Sequence, residues 1–292
     1  MYRPKGVASL SIRKQRTTEA KIRKKIENGD GQGEGSNYRP YIRVGDFGST
    51  GRVHRILSRN GRIQHFFSDL ERDYYYHLLE DERVIEIKEQ VPMDRTATMS
   101  IAESLGIRHP TDPVTGVPVV MTTDFLVTAI LDGKKQTFAR SVKFYEDLGK
   151  RRVQEKQTLE KTYWSNEGVH WAIVTECSFN RTRTDNIRFL MNYYKDEFVK
   201  DIPDIFLELL VEHLLESPEE RFVAVCKQVE IELNLSKGKG LLAAYYFGAH
   251  KALPMRLDNR WNTWCADEVV DLQKLQEYWA EGMYGKERAC SG

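Results

Sequence analysis

No stretch of about eighteen apolar residues occurs in this sequence, so no membrane-spanning helix is expected. The basic N-terminus has no apolar centre of the kind a secretion signal needs, and a cytoplasmic location is the expectation. Cysteine is scarce. Cys177, Cys226, Cys265 and Cys290 lie far apart and never in CxxC spacing, which argues against a disulfide framework and against a zinc site. A net charge of one sign is missing too, since 44 Lys and Arg against 43 Asp and Glu leave +1. Internal repeats are absent. What remains is a chain of 292 residues, 40% of them hydrophobic, long enough to bury one large core or two ordinary ones.

The small total charge hides an uneven distribution. Residues 1–28 carry nine cations (Arg3, Lys5, Arg13, Lys14, Arg16, Lys21, Arg23, Lys24 and Lys25) against Glu19 and Glu27. Such an arm suits phosphate, although a solvated helix face has the same composition. Thr18 to Asn28 reads as a short helix, with Ala20, Ile22 and Ile26 among charges and Gly29 at its end. The stretch Gly29-Asp-Gly-Gln-Gly-Glu-Gly35 is too glycine-rich for an element interior. It also lacks the Lys-Ser/Thr of a phosphate-binding loop, so it reads as a linker. Residues 1–35 are on this reading a basic arm and linker.

From Ile42 to Glu176 helical and extended patterns mix. Ser68 caps a helix running to Glu80, with Glu71 three residues on in the capping-box position. Val84 to Val91 reads as a strand ended by Pro92. Thr122 to Leu131 and Lys134 to Phe144 are two β-rich runs separated by Asp132-Gly133, the strongest short hairpin signal. A basic helix follows between Asp147 and Trp164, then a short apolar strand, Trp171 to Thr175. Strands with helices before and after them predict an α/β or α+β domain over residues 36–185. Residues 186–292 are helical in pattern. Pro203 to Leu215 has an apolar stripe, and Ser217-Pro218-Glu219-Glu220 predicts a helix start, running through Phe222, Val225, Val229 and Ile231. Ser236 is placed to cap a third helix through Leu241, Leu242, Tyr245 and Phe247, and Met255–Leu257 with Trp264–Val270 could form a small β-wing. The pattern is that of a winged-helix-like domain.

The hairpin register can be counted. With Asp132 and Gly133 as loop residues, Leu131 faces Lys134 and Asp124 falls opposite Ser141, with Lys143 two residues further on the same face. Directly opposed residues have Cβ atoms about 4.5 to 5.5 Å apart, so Asp124, Ser141 and Lys143 can share one polar site. A carboxylate beside an ammonium suits phosphodiester hydrolysis: the carboxylate holds Mg²⁺, and the lysine orients water or neutralises developing charge. An ordinary cross-strand ion pair on a solvated face would use the same residues.

The order of a helix bearing Glu71, a strand, Asp124, a hairpin, then Ser141-Val142-Lys143 and a helix resembles the nuclease core of type II restriction enzymes, whose signature is Asp followed by Asp/Glu-x-Lys. A more specific resemblance, over most of the chain from about Gly31, is to the TnsA family, the endonuclease subunit of heteromeric bacterial transposases. The stretches that carry it are Gly31-Gln-Gly-Glu-Gly, Gly51-Arg-Val-His-Arg-Ile56, Phe67-Ser-Asp-Leu-Glu71, Glu89-Gln-Val-Pro92, Gly106-Ile-Arg-His-Pro110, Met121-Thr-Thr-Asp-Phe-Leu126, Val142-Lys143 and Val225-Cys-Lys-Gln-Val229.

The resemblance implies a restriction-endonuclease-like catalytic core followed by the winged-helix-like domain, in a bacterial cytoplasmic protein. It assigns catalysis to Glu71, Asp124 and Lys143, with Glu71 and Asp124 as ligands of Mg²⁺, for which Mn²⁺ would substitute. Ser141 stands where restriction enzymes carry an acid and the family commonly carries Gln, so its hydroxyl or the carbonyl of Val142 is left as the further ligand. The capping position of Glu71 competes with its metal role. Arg52, His54 and Arg55, and Lys150, Arg151 and Arg152 are candidate phosphate contacts, each also readable as a solvated face; His65 and His109 stay open. The implied reaction is cleavage of the 5′ (non-transferred) strands at transposon ends. A TnsB-like DDE transposase would handle the 3′ ends, and a TnsC-like AAA+ ATPase would be contacted through the C-terminal domain. A stand-alone restriction or repair nuclease, or a catalytically inactive transposition adaptor, are the alternatives.

Overall fold

The computed structural model describes residues 16–46, 52–58, 61–261 and 265–280. The arm as far as Lys14, Trp264 of the expected wing and Cys290 lie outside the described residues. Two compact units are present, residues 1–178 and 179–292. The boundary expected at 185/186 falls inside a helix of the second unit.

In the first unit Thr18 accepts a hydrogen bond from the Lys21 amide and starts α1 (Glu19–Glu27). The start of the glycine-rich segment, Gly29 to Gly31, packs against the unit while residues 32–35 are exposed, which corrects the linker reading for its first half. A Cβ on Gly31 would meet the Pro92 ring at 2.3 Å, and the buried Asp30 gathers Lys25, Arg39 and Arg43. Glycine there lets the backbone lie directly against that ring. An antiparallel pair, β1 (His54–Leu57) and β2 (Ile63–Phe66), leads into α2 (Asp69–Glu80), capped by Ser68 as its position predicts. Then come β3 (Val84–Pro92), α3 (Arg95–Ser104), β4 (Thr122–Leu131), β5 (Lys134–Val142), α4 (Arg151–Asn166) and β6 (His170–Val174). The sequence reading assigned no element to α3, which Asp94 caps through the Ala97 amide.

These four longer strands form one sheet in the order β3-β4-β5-β6. The first three are antiparallel, and β6 returns parallel to β5 after the α4 crossover. Asp132 and Gly133 both take positive φ, 50° and 71°, the turn that matches strand twist, and Leu131 faces Lys134. One apolar cluster joins Val91, Met121 and Ala139 of the sheet region to Ile101 and Ala102 of α3 and Leu159 and Trp164 of α4. Another stacks Phe66, Tyr75 and Phe125, with ring centroids 5.0 and 5.7 Å apart, and so seats α2 and β2 on β4.

The second unit is built from α5 (Arg181–Leu190), α6 (Phe206–Glu216), α7 (Phe222–Glu232), α8 (Lys239–Ala249), α9 (Ala266–Val269) and α10 (Leu272–Ala280). Phe206, Leu210, Leu214, Phe222, Val225, Val229 and Leu275 form its fully buried centre. Helix α7 starts at Phe222 and not at the Ser217-Pro218 signal. Residues 218–221 instead bond to the start of α9, through Ala266 N–H to Glu220 O (2.9 Å), Asp267 N–H to Pro218 O (3.1 Å) and a bridge between Arg221 and its cap residue Cys265. The third helix begins after Gly238. Of the expected wing, the described residues keep a single bridge, Met255 to Val270, because Ala266–Val269 is helical. Cys177, Cys226 and Cys265 are free thiols, and no helix among the described residues is long and apolar enough to cross a membrane.

Candidate active site

The hairpin ladder ends at Phe125 and Arg140, and one step further Asp124 and Ser141 lie level. There Asp124 Oδ2 accepts three hydrogen bonds, from the Val142 amide at 2.7 Å, Lys143 Nζ at 2.8 Å and Ser141 Oγ at 3.4 Å. Lys143 Nζ also donates to the Val142 carbonyl at 2.7 Å. The second oxygen, Asp124 Oδ1, meets no donor among the described residues.

Glu71 reaches this cluster from the first turn of α2. Its Oε2 accepts from the Phe67 amide at 3.0 Å and Gln90 Nε2 at 3.4 Å, and its Oε1 accepts from Ser68 Oγ at 3.1 Å. The Ser68 hydroxyl in turn accepts from the Glu71 amide at 3.1 Å. The side chain takes the amide before the cap residue, not that of the cap itself, so the capping position and a place in the site are compatible. Burial first, and the Asp124 charge second, push the Glu71 carboxyl well above the usual glutamate range. Burial disfavours the Lys143 ammonium, yet Asp124, with Glu160 and Glu71 behind it, outweighs that and holds its pKa above the ordinary lysine value.

Three residues near this cluster escaped the sequence reading. Glu160 of α4 is buried, accepts from Thr123 Oγ1 at 2.9 Å, and is raised by burial and by Asp124 as Glu71 is. Gln157, one turn earlier, donates to Ser141 Oγ at 3.2 Å and fixes that face of α4 to the hairpin. Lys156 is depressed by burial and then by Arg152 and Lys143, and it has no ion-pair partner among the described residues. The available signal was the four-residue spacing Arg152, Lys156, Glu160 on one helix face; which face turns inward is set by the crossover and not locally.

The expected phosphate contacts divide. Arg52 (3.7 Å) and His54 (2.8 Å) converge on Asp69, at the start of the helix that carries Glu71, and Arg72 joins them at 3.0 Å. Arg55 turns to the Val44 carbonyl at 2.8 Å. Lys150 pairs with Asp147, and Arg151 and Arg152 share Glu155 at 3.1 and 2.8 Å. Helix α4 therefore opens with three cations and no side-chain cap, an arrangement its dipole disfavours and that Asp147 and Glu155 offset. His65 accepts from the Val44 amide, and burial lowers its pKa to about 4; His109 lies against Thr98 and Pro110.

An all-oxygen donor set is what Mg²⁺ prefers, and Asp124 Oδ1 and Glu71 Oε1 both retain free lone pairs. The carboxyls outnumber the one lysine among them, an imbalance that their raised pKa values relieve by proton uptake and that a dication would relieve in its place. No group of three or more His, Cys, Asp or Glu with metal-holding geometry exists among the described residues. Glu71 and Asp124 are thus the two carboxyls here that could ligate a cation, and they do not form a complete cage by themselves.

Comparison with known proteins adds two family matches. Residues 81–176 match the model for the TnsA-like endonuclease N terminal, and residues 179–257 that for the TnsA endonuclease C terminal. The chain is also 34% identical over 265 residues to the Escherichia coli transposon Tn7 transposition protein TnsA, covering 89% of this chain and 96% of that protein.

Proposed function

The chain belongs to the TnsA family of transposition endonucleases, and on that premise we propose that it is a Mg²⁺-dependent nuclease cutting the 5′, non-transferred strands at transposon ends. The observation that carries the reading is Asp124, level with Ser141 and 2.8 Å from Lys143 Nζ, with Glu71 close enough to feel its charge.

Asp124 would hold the metal through Oδ1 and Glu71 through the remaining lone pair of Oε1, with Ser141 Oγ or the Val142 carbonyl as the neutral donor. Bound Mg²⁺, or Mn²⁺ in its place, supplies a Lewis acid and a water of lowered pKa. Lys143, kept cationic by Asp124, neutralises charge that builds on the phosphoryl oxygens and orients the attacking water. Arg52, His54, Lys150, Arg151 and Arg152 are the candidates for gripping backbone phosphates, and Lys156 joins them because nothing else in the described chain answers its charge. On this reading a TnsB-like DDE transposase recognises the ends and processes the 3′ strands, and a TnsC-like AAA+ ATPase regulates the pair.

The test is Asp124→Ala and Lys143→Ala in a reconstituted reaction with the transposase and ATPase. Both variants should remain folded and lose 5′ nicking while 3′ cleavage by the transposase continues. Parental nicking by either one would remove these residues from the chemistry.

A further inference from the structure

Gln90 stands inside β3 with φ of +51°, in the left-handed region. Among the described residues, the other non-glycine cases are Asp132 and Asn234, types that tolerate it, and Lys251, just beyond the end of α8. Gln90 is the one placed within a strand. No residue is inserted there, since Glu89 pairs with Phe125 and Val91 with Thr123, and this count sets Gln90 level with Asp124.

The surroundings hold this conformation upstream and at the residue itself. Upstream, Glu89 is fully buried against Arg62 at 2.7 Å, the Tyr38 hydroxyl donates to the Glu89 carbonyl at 3.0 Å, and Arg62 reaches the Ile87 carbonyl at 3.2 Å. At the kink itself the Gln90 carbonyl accepts from the Tyr41 amide at 3.2 Å. Unfavourable backbone geometry that is over-determined in this way commonly marks a functional position.

Its side chain is 5% exposed and bridges two elements. Gln90 Nε2 donates to Glu71 Oε2 at 3.4 Å, and Gln90 Oε1 accepts from Thr122 Oγ1 at 3.1 Å. With Glu71 ionised, as a metal ligand must be, the amide keeps its nitrogen toward Glu71, because a turned-over oxygen would face a carboxylate. Together with the Phe67 amide, Gln90 occupies Oε2 and leaves Oε1 with only the Ser68 hydroxyl.

We propose that Gln90 is a positioning residue, whose strained backbone aims its amide at Glu71 and so presents the remaining Glu71 oxygen to the metal ion. This rests on Glu71 and Asp124 being the metal ligands. Two substitutions separate such a role from a merely structural one. Gln90→Gly relieves the strain and deletes the amide. Gln90→Asn tolerates the left-handed backbone but is too short to reach Glu71.

The experiment titrates Mn²⁺ alone into the metal-free full-length protein, read by electron paramagnetic resonance, beside metal-free melting curves; Asp124→Ala serves as the reference. Both Gln90 variants should melt no lower than the parent, yet bind Mn²⁺ about tenfold or more weakly, the usual scale for a group that orients a ligand. Unchanged Mn²⁺ affinity in them, with binding lost in Asp124→Ala, would overturn the proposal and leave the site standing. A lowered melting temperature accompanying the weaker binding would make Gln90 structural. Parental Mn²⁺ binding by Asp124→Ala would overturn the metal site itself, and this proposal with it.

Discussion

Glu71 and Glu160 each carry a carboxyl pKa raised from 4.5 to about 7, by burial first and by Asp124 second. A raised carboxyl pKa means that the folded chain keeps a proton the unfolded chain has released. Each group's contribution to stability is therefore present below about 4.5 and is lost as pH rises toward about 7. Glu71→Gln removes one of these ionisations. The metal-free variant should gain melting temperature relative to the parent as pH rises through that window. In the parent, the stabilisation given by Mg²⁺ should grow over the same range, because ionised carboxylates bind it. A gap between variant and parent that does not change with pH would show that Glu71 does not titrate there. Legibility at this scale follows the range of the determinant. Asp124, Ser141 and Lys143 could be brought together from the sequence because a two-residue turn fixes their register within twenty residues of chain. Glu160 could not, because the α4 crossover decides which helix face turns inward, and Gln90 looked like any residue of a strand until its φ was seen.

Between residues and molecule, the two serine cap signals make a controlled pair. Ser68 is followed by Glu71, and Ser217 by Glu220, yet only the first opens a helix. Ser68 Oγ accepts from the Glu71 amide at 3.1 Å, whereas Ser217 ends α6 and is joined by its carbonyl to the Glu220 amide at 3.1 Å. Ser68→Ala should therefore cost about 1 kcal/mol in a denaturant titration. Ser217→Ala should stay within about 0.5 kcal/mol of the parent. Equal costs would mean that α7 begins at Pro218 in solution. The signal at Ser217 is local, and what defeats it is distant: the backbone groups of Pro218 and Glu220 are taken by Asp267 and Ala266. The start of the glycine-rich segment was misread for the same reason, since Pro92, the partner of Gly31, lies on another element. The main strands, α2 and the hairpin were readable because capping, alternation and turn chemistry agreed there with the packing.

For the molecule as a whole, the division at 178/179 coincides with the gap between the two family matches, which end at residue 176 and resume at 179. Each unit has its own apolar centre, built on Leu159, Trp164 and Ala139 in one and on Phe206, Leu210 and Phe222 in the other. Segments with separate cores can fold separately. The acidic cluster with Lys143 belongs entirely to the first unit, so nothing in the proposed chemistry requires the second, and its role is better sought in assembly. Residues 1–178 expressed alone should melt cooperatively and keep the Mn²⁺ affinity of the full chain. They should fail to capture the TnsC-like ATPase, whereas residues 179–292 should capture it. The pull-down separates the possibilities: capture by residues 1–178 would place the ATPase contact on the nuclease unit, and a first unit that does not fold would show that the two cores depend on each other.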